Sequence, residues 1–414
     1  MNHSIETRKL RVRMIGMTNV MQLVPLANTL KTVAPSIRLE VNGLKLPKGP
    51  GCAGLPVDNH EGFDCCLPGF DPKYQGKNKS RKQRSERLYL LKMRLPWLFQ
   101  ARRFGEIEAS VDLIHLHGLF MYPIHYYLAK YSSKPFLVSC WGSDVLREAD
   151  MAKVEVQQQI LRRASAITVT GPEFKEIILS KYGRDLAPKI HNTFFDPAVG
   201  DLPVLDRVSK SEELRSQWGV RPDQLILCLA HNGFKQNQHL ELLHSLSSMP
   251  EELKERIYII APMTYGGNVA YQDEVNLAMK AAGISGRLIC DFMTDEELYR
   301  LRLATDILLY APISDAFSAS VSQALAAGSV AILGSWLPYK ARIRAGFRYH
   351  EIDTTSDAAG CLQLILLDWE NVQLTTNNNR PLSAEFFSQA RMGQQWIQAY
   401  EAAIQNHEKT QKRD

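Results

Sequence analysis

A chain of 414 residues exceeds what one hydrophobic core usually serves, so two domains of roughly 200 residues each are expected. With 49 basic and 44 acidic residues the net charge is only +5, and no recognition module is visible, so nucleic acid is not an expected partner. No run reaches the roughly 18 uncharged apolar residues of a membrane span, and the opening MNHSIETRKLRVRMIGM lacks a signal peptide's apolar region, so the protein is expected to stay in the cytoplasm. The seven cysteines suit reduced thiols, since Cys140, Cys228 and Cys290 sit inside predicted strands. Cys52, Cys65 and Cys66 lie near His60 without CxxC spacing, a pattern read either as a metal site or, more simply, as a thiol-bearing loop.

In chain order, Arg11 to Met17 is a strand and Val20 to Val33 an apolar helix, followed by irregular sequence rich in Gly, Pro and Cys through Phe70. Lys77 to Arg103 is densely basic and then apolar, with Leu88, Leu90, Leu91, Leu95, Trp97, Leu98 and Phe99. It reads either as an interfacial membrane segment or as an ordinary amphipathic helix facing the core. Alternation of strand and helix then resumes with VDLIHLHG, MYPIHYYLAKY, KPFLVSCWGSD, VQQQILRRA and SAITVTG, a rhythm that implies a parallel sheet covered on both faces. A polar stretch around Phe195 to Lys210 marks the domain boundary. The second series runs QLILCLAHNG, HLELLHSL, RIYIIAPM, DEVNLAMKAAG, RLICDF and DEELYRLRLA. It ends in LATDILLYAPISDAFSASVSQALAAGSVAILGSWLPY, from Leu303 to Tyr339. The expected organisation is a first domain over 1–196 with a basic insertion near 42–105, a second over 207–380, and a C-terminal helix over 381–414.

Ligand chemistry is expected in the polar turns at strand ends. The GxGxxG turn, the P-loop, the GxSxG elbow and the HExxH pair are all absent from the sequence. In doubly wound sheets the carboxyl ends of strands face the ligand crevice, and the first amides of the next helix carry partial positive charge. The turn at Asp315, leading into Ser318, Ser320 and Gln323, therefore suits a phosphate or a sugar hydroxyl. AHNGFKQNQH brings His231, Lys235 and His239 to a helix start, where Lys235 either neutralises a diphosphate or merely caps and solvates. APMTYGGNVAY offers Thr264, Tyr265 and the pair Gly266 and Gly267, where backbone approaches a base or ribose. In the first domain His115 and His117 share a strand face. His117 reads as a general base or a hydrogen-bonded core residue, and Asp144, beside Ser143, as a catalytic group or an N-cap.

Taken together these pieces resemble the GT-B nucleotide-sugar glycosyltransferases, and their order is similar to that of family 4. DLIHLHG resembles the family's strand ending in HxH, KPFLVSCWGSDVL its "hGsD" segment, ASAITVTGPEFKEII a helix entry, and KIHNTFFD the interdomain "NG(V/I)D". The stretch from Leu303 to Leu333 resembles its "E-x7-E" region, with Asp315 and Gln323 where the family carries two glutamates. GSVAILGSWLPYK is similar to the branch that transfers 4-acetamido-4,6-dideoxygalactose to a lipid-linked acceptor.

The resemblance implies an α/β fold of two Rossmann-like domains facing across a cleft. It implies a metal-independent hexosyltransferase with no cofactor beyond its nucleotide-diphosphate sugar donor, acting on a glycan or lipid-linked acceptor in bacterial surface polysaccharide assembly, at the inner face of the cell membrane. His117, Asp144 and Asp315 are the implied catalytic residues. His231, Lys235, Thr264, Tyr265, Ser318, Ser320 and Gln323 are the implied donor-binding residues. Family 4 retains configuration whereas the second branch inverts it, so the stereochemistry stays open. The alternatives are a sugar-nucleotide epimerase of the same fold and a non-catalytic nucleotide- or sugar-binding protein.

Overall fold

The structure, a computed structural model of the chain, describes residues 10–17, 23–44, 59–63, 105–106, 108–119, 123–194 and 207–412. The basic segment Lys77 to Arg103 and the cysteines Cys52, Cys65 and Cys66 lie outside the described residues. Contacts divide the chain into two compact units, 1–196 together with 389–414, and 197–388. Among the described residues no helix is long and apolar enough to cross a membrane.

The first unit is built on a parallel sheet of seven strands: β1 (Arg11–Met17), β2 (Arg38–Leu44), β3 (Asn59–Phe63), β4 (Leu113–His117), β5 (Phe136–Ser139), β6 (Ala166–Val169) and β7 (Ile190–Asn192). Their order is β3-β2-β1-β4-β5-β6-β7. The strand order reverses between β1 and β4, which is where such a sheet opens a ligand crevice. Two of these strands, β2 and β3, occupy a stretch that reads as irregular in the sequence, in register Val12 with Leu39 and Val41 with His60. The reason is visible in β3, NHEGF, which offers no apolar run to detect. The helix Gln389–Gln411 belongs to this unit. It buries Trp396 and Tyr400 against Val12, Met14, Leu113 and Leu137, and a Cβ on Gly393 would lie 2.6 Å from Val33.

The second unit carries a six-stranded parallel sheet: β8 (Leu225–Leu229), β9 (Ile257–Pro262), β10 (Gly286–Ile289), β11 (Ile307–Tyr310), β12 (Val330–Gly334) and β13 (His350–Ile352). The order is β10-β9-β8-β11-β12-β13, reversing between β8 and β11. Strands β11 and β12 are buried on both faces, which is why ILLY and VAILG read as unbroken apolar runs. The helices between them start on their own caps. Thr294 and Glu297 form a capping box before Asp295–Ala304, and Ser318 caps Ala319–Ala327, which ends on Gly328 in the left-handed region at φ 79°. Cys290 lies one residue beyond β10 and is exposed, so it is not a strand thiol as its apolar neighbours suggested.

Candidate functional site

In the second unit the loops after β8, β9, β11 and β12 are tied to one another at the carboxyl edge of the sheet, at the point where the strand order reverses. After β8, Ala230 and Gln238 both adopt positive φ, and the turn between them carries His231, Asn232, Gly233 and Lys235. The Gly233 amide donates to the Tyr265 carbonyl at 2.8 Å. A Cβ on Gly233 would lie 2.8 Å from the Gly267 nitrogen, so two backbones pass each other where only glycine fits. Gln238 donates to the Ala311 carbonyl at 2.7 Å, and the Ile313 amide to the Gln236 carbonyl at 2.8 Å. Buried Asn237 holds the turn from beneath by donating to the Asn232 carbonyl at 3.0 Å and to its side-chain oxygen at 2.6 Å. At the mouth, Phe234 and Tyr265 stay exposed, with ring centroids 6.1 Å apart and edge to face. His231 packs against Tyr310 and Tyr265 and bonds to the Asn232 side chain at 2.6 Å.

Asp315 sits where the sequence placed it, in the turn between β11 and Ala319–Ala327. It is held by two residues that sequence reasoning did not single out. Its Oδ2 accepts from the hydroxyl of Tyr310 at 2.9 Å and from that of Tyr339 at 2.5 Å, while Oδ1 accepts from the Ala316 amide at 2.9 Å. Burial and the neighbouring carboxylate push both phenols well above the ordinary tyrosine range, so each remains a proton donor. The Tyr339 hydroxyl also accepts from the Ser318 amide at 3.1 Å. The WLPY turn is therefore part of this wall. Leu337 and Tyr339 are buried, and Trp336 donates to the Pro312 carbonyl at 2.7 Å.

Ser318 accepts from the Val321 amide at 3.2 Å, as an N-cap does, which leaves the first-turn amides of Ala319 and Ser320 as the orphan donors of a helix start. Gln323 is nearly buried, and its side-chain oxygen accepts from Arg302 at 3.2 Å. Lys235 is exposed, 3.6 Å from Glu274 and 4.8 Å from the centre of the Tyr271 ring. His239 is buried beneath the turn, bonded to the Tyr271 hydroxyl at 3.3 Å, and burial lowers its pKa to about 4. Thr264 is half-buried just before Tyr265.

In the first unit, β4 delivers His115 and His117 to the reversal point. His115 is fully enclosed, bonded through one ring nitrogen to the Tyr400 hydroxyl at 2.9 Å and through the other to Ser139 at 2.7 Å, which in turn meets Thr168 at 2.7 Å. His117 stacks on it at 3.9 Å and meets the Trp141 ring edge to face at 5.6 Å. Neither ring nitrogen of His117 has a hydrogen-bond partner among the described residues, and burial lowers its pKa to about 3. It is a neutral imidazole at working pH.

Asp144 occupies a different role in the geometry. Its Oδ1 accepts from the amides of Trp141 at 3.0 Å and Gly142 at 2.9 Å, and its Oδ2 from the Leu119 amide at 2.7 Å. The carboxylate thus ties the loop after β4 to the loop after β5. Burial raises its pKa and these three donors oppose the rise. Gln157 completes the tie by donating to the carbonyls of Leu119 at 3.0 Å and Asp144 at 2.9 Å.

Searches of family models and of curated proteins return no match to this sequence. Solved structures do match over nearly the whole chain. One is HepE from Anabaena in complex with UDP and glucose, at TM-score 0.70 and 12% identity, covering 95% of this chain and 100% of that one. A second is a glycosyltransferase from Rickettsia africae, at TM-score 0.73 and 15% identity, covering 96% and 100%. A third is the sucrose-phosphate synthase of Thermosynechococcus elongatus, at TM-score 0.69 and 12% identity, covering 95% and 98%. At these identities the likeness is one of fold, and the fold is the two-domain α/β GT-B architecture expected from the sequence.

Proposed function

We propose that this chain is a glycosyltransferase that moves a sugar from a nucleotide-diphosphate donor, held by the second unit, to a glycan or lipid-linked acceptor in bacterial surface polysaccharide assembly. The observation that carries this reading is the carboxyl edge of the second sheet where the strand order reverses between β8 and β11, with two loops crossing at Gly233 and Gly267 and a capped helix start beside a hydrogen-bonded carboxylate. It is supported by fold likeness to HepE, which was solved with UDP, with UDP and glucose, and with UDP-glucose.

Each group has a task in this reading. Tyr265 and Phe234 present exposed rings to a base, with Thr264 and the backbone at Gly266 and Gly267 approaching the ribose. The amides of Ala319 and Ser320 meet the diphosphate, whose negative charge grows as the bond to the sugar breaks. Lys235 adds a cation from outside. Its pairing with Glu274 is exposed, and such a pair holds with only ~0–1 kcal/mol, so the ammonium is free to exchange onto phosphate. Asp315, oriented by two phenols, accepts from hydroxyls of the donor sugar. His231 lies beside the same wall, and Gln323 fixes the helix from behind. In the first unit His117 offers unbonded ring nitrogens at the end of β4, and Asp144 sets the loops around it. Charge is neutralised by protein groups, with no metal required, and the enzyme works at the inner face of the membrane.

The test is thermal stabilisation by UDP, GDP, dTDP, ADP and CMP, followed by turnover of the matching sugar nucleotide with and without an acceptor extract. One diphosphate should stabilise the protein, with a smaller shift in Lys235→Ala, and sugar should transfer only when acceptor is present. An epimerised donor without acceptor would assign the epimerase instead, and binding without turnover a non-catalytic role. No shift with any nucleotide would end the nucleotide-sugar reading.

A further inference from the structure

Two buried guanidinium groups flank the first turn of Ala319–Ala327, and among the described residues no carboxylate pairs with either. Arg302, 2% exposed, reaches the turn from Asp295–Ala304. It donates to the Ser320 hydroxyl at 2.8 Å and to the Gln323 side-chain oxygen at 3.2 Å, with Cys228 at 3.7 Å. Arg342, 3% exposed, reaches it from Lys340–Arg344. It donates to the Ser322 hydroxyl at 2.9 Å and lies 4.5 Å from the centre of the Tyr339 ring and 4.7 Å from that of Phe317. Among the described residues the Nε and Nη1 of Arg342 are buried without a hydrogen-bond partner.

This arrangement is costly in the free protein. A charge taken out of water needs an opposite charge or a full set of hydrogen bonds, and here the groups bonded to or stacked on the two guanidiniums are neutral: hydroxyls, an amide, a thiol, aromatic rings and the Ser318 carbonyl at 3.4 Å from Arg342. Asp315 acts on Arg342 only at a distance, since its carboxylate is turned to Tyr310, Tyr339 and the Ala316 amide and forms no ion pair with the guanidinium among the described residues. Burial accordingly lowers the pKa of Arg342, although a guanidinium stays charged. Gln323 belongs to the same pattern. A glutamate there would pair with Arg302 and cancel its charge, whereas the amide orients the guanidinium and leaves the charge uncompensated. Both cations sit against the helix start whose amides already carry partial positive charge. The summed potential at that turn calls for an anion that the described fold does not supply.

We infer that Arg302 and Arg342 are positioning charges for a ligand bearing two adjacent phosphates, which serves as their missing counter-ion at the first turn of Ala319–Ala327. The inference rests on the donor reading above and deepens it. The positive charge that the loop after β8 supplies only through an exposed, paired lysine comes instead from inside the fold, where water screens it least.

Inorganic pyrophosphate is the probe, titrated calorimetrically and followed by thermal shift on the full chain. The variants are Arg342→Met, Arg342→Lys and Ser320→Asp. The last gives Arg302 a carboxylate partner at a helix position that favours acid, so it should fold at least as stably as the wild type. Pyrophosphate should bind wild type and bind Arg342→Met and Ser320→Asp about tenfold more weakly or worse, the scale of one lost charge-assisted contact. Arg342→Lys should recover part of the loss. Recovery of pyrophosphate affinity in Arg342→Lys, with Arg342→Met folded but weakened, is an outcome that a purely structural role does not produce. Wild-type pyrophosphate affinity in Ser320→Asp or in folded Arg342→Met would overturn the inference, as would no pyrophosphate binding to the wild type. Pyrophosphate binding without any nucleotide binding would refute the donor reading and leave this inference standing.

Discussion

Acidification should destabilise the first unit through the histidine pair of β4. Burial holds the pKa of His115 well below the ordinary histidine value and that of His117 at about 3. A native pKa below the unfolded one means that the unfolded chain takes up protons first as pH falls. Stability is therefore complete above about pH 6.5, and each histidine removes ~1.4 kcal/mol per pH unit between there and its native pKa. From pH 7 to pH 5 that is roughly 2 kcal/mol for His117, with His115 adding in the same direction, a large share of the roughly 5–15 kcal/mol that holds a typical domain together. Water screens neither ring, because His115 is 0% and His117 2% exposed. The assay is urea unfolding by tryptophan fluorescence at pH 7, 6 and 5, with Trp396 and Trp141 beside the pair as reporters. His117→Gln removes one titrating group, so the wild type should lose about 2 kcal/mol more than the variant over that range. The same pH dependence in both proteins would refute the reasoning, whatever the carboxylates contribute, since they are common to both.

Two further outcomes follow from the second unit. Gly233→Ala brings a Cβ to 2.8 Å from the Gly267 nitrogen and 2.9 Å from its Cα, so the loop after β9 must move. Thermal unfolding should report a loss of about 1–3 kcal/mol, as for other overpacked sites, along with weaker nucleotide binding; an unchanged melting curve would show that the two loops are not in contact. Tyr339→Phe removes a donor to Asp315 and the acceptor of the Ser318 amide. It should cost about 1–3 kcal/mol for the buried groups left unmade. It should also weaken donor-sugar binding more than nucleoside diphosphate binding, and equal weakening of both would place Asp315 away from the sugar.

The two doubly wound sheets are legible in the sequence because parallel strands buried on both faces read as apolar runs, and those runs end in polar turns. Asp315, Ser318 and His231 could be named as wall residues on that basis alone. Strand β3 was not legible, because NHEGF pairs with β2 through its backbone and carries no apolar signature of its own. The assignments of partners depend on distance across the chain, which spacing does not encode. Asp315 is bonded by Tyr310 and Tyr339, Gln323 by Arg302, and Asp144 by three amides from two loops. WLPY enters the sequence reading only as part of a family resemblance, and the structure makes its tyrosine a hydrogen-bond donor to the carboxylate. Periodicity records which face of an element is buried, and so it fixes the two sheets and the edge where ligands bind. Which charges at that edge are paired and which are left without a partner is decided by side chains meeting from different helices, and only the tertiary structure brings Arg302 and Arg342 to one helix turn.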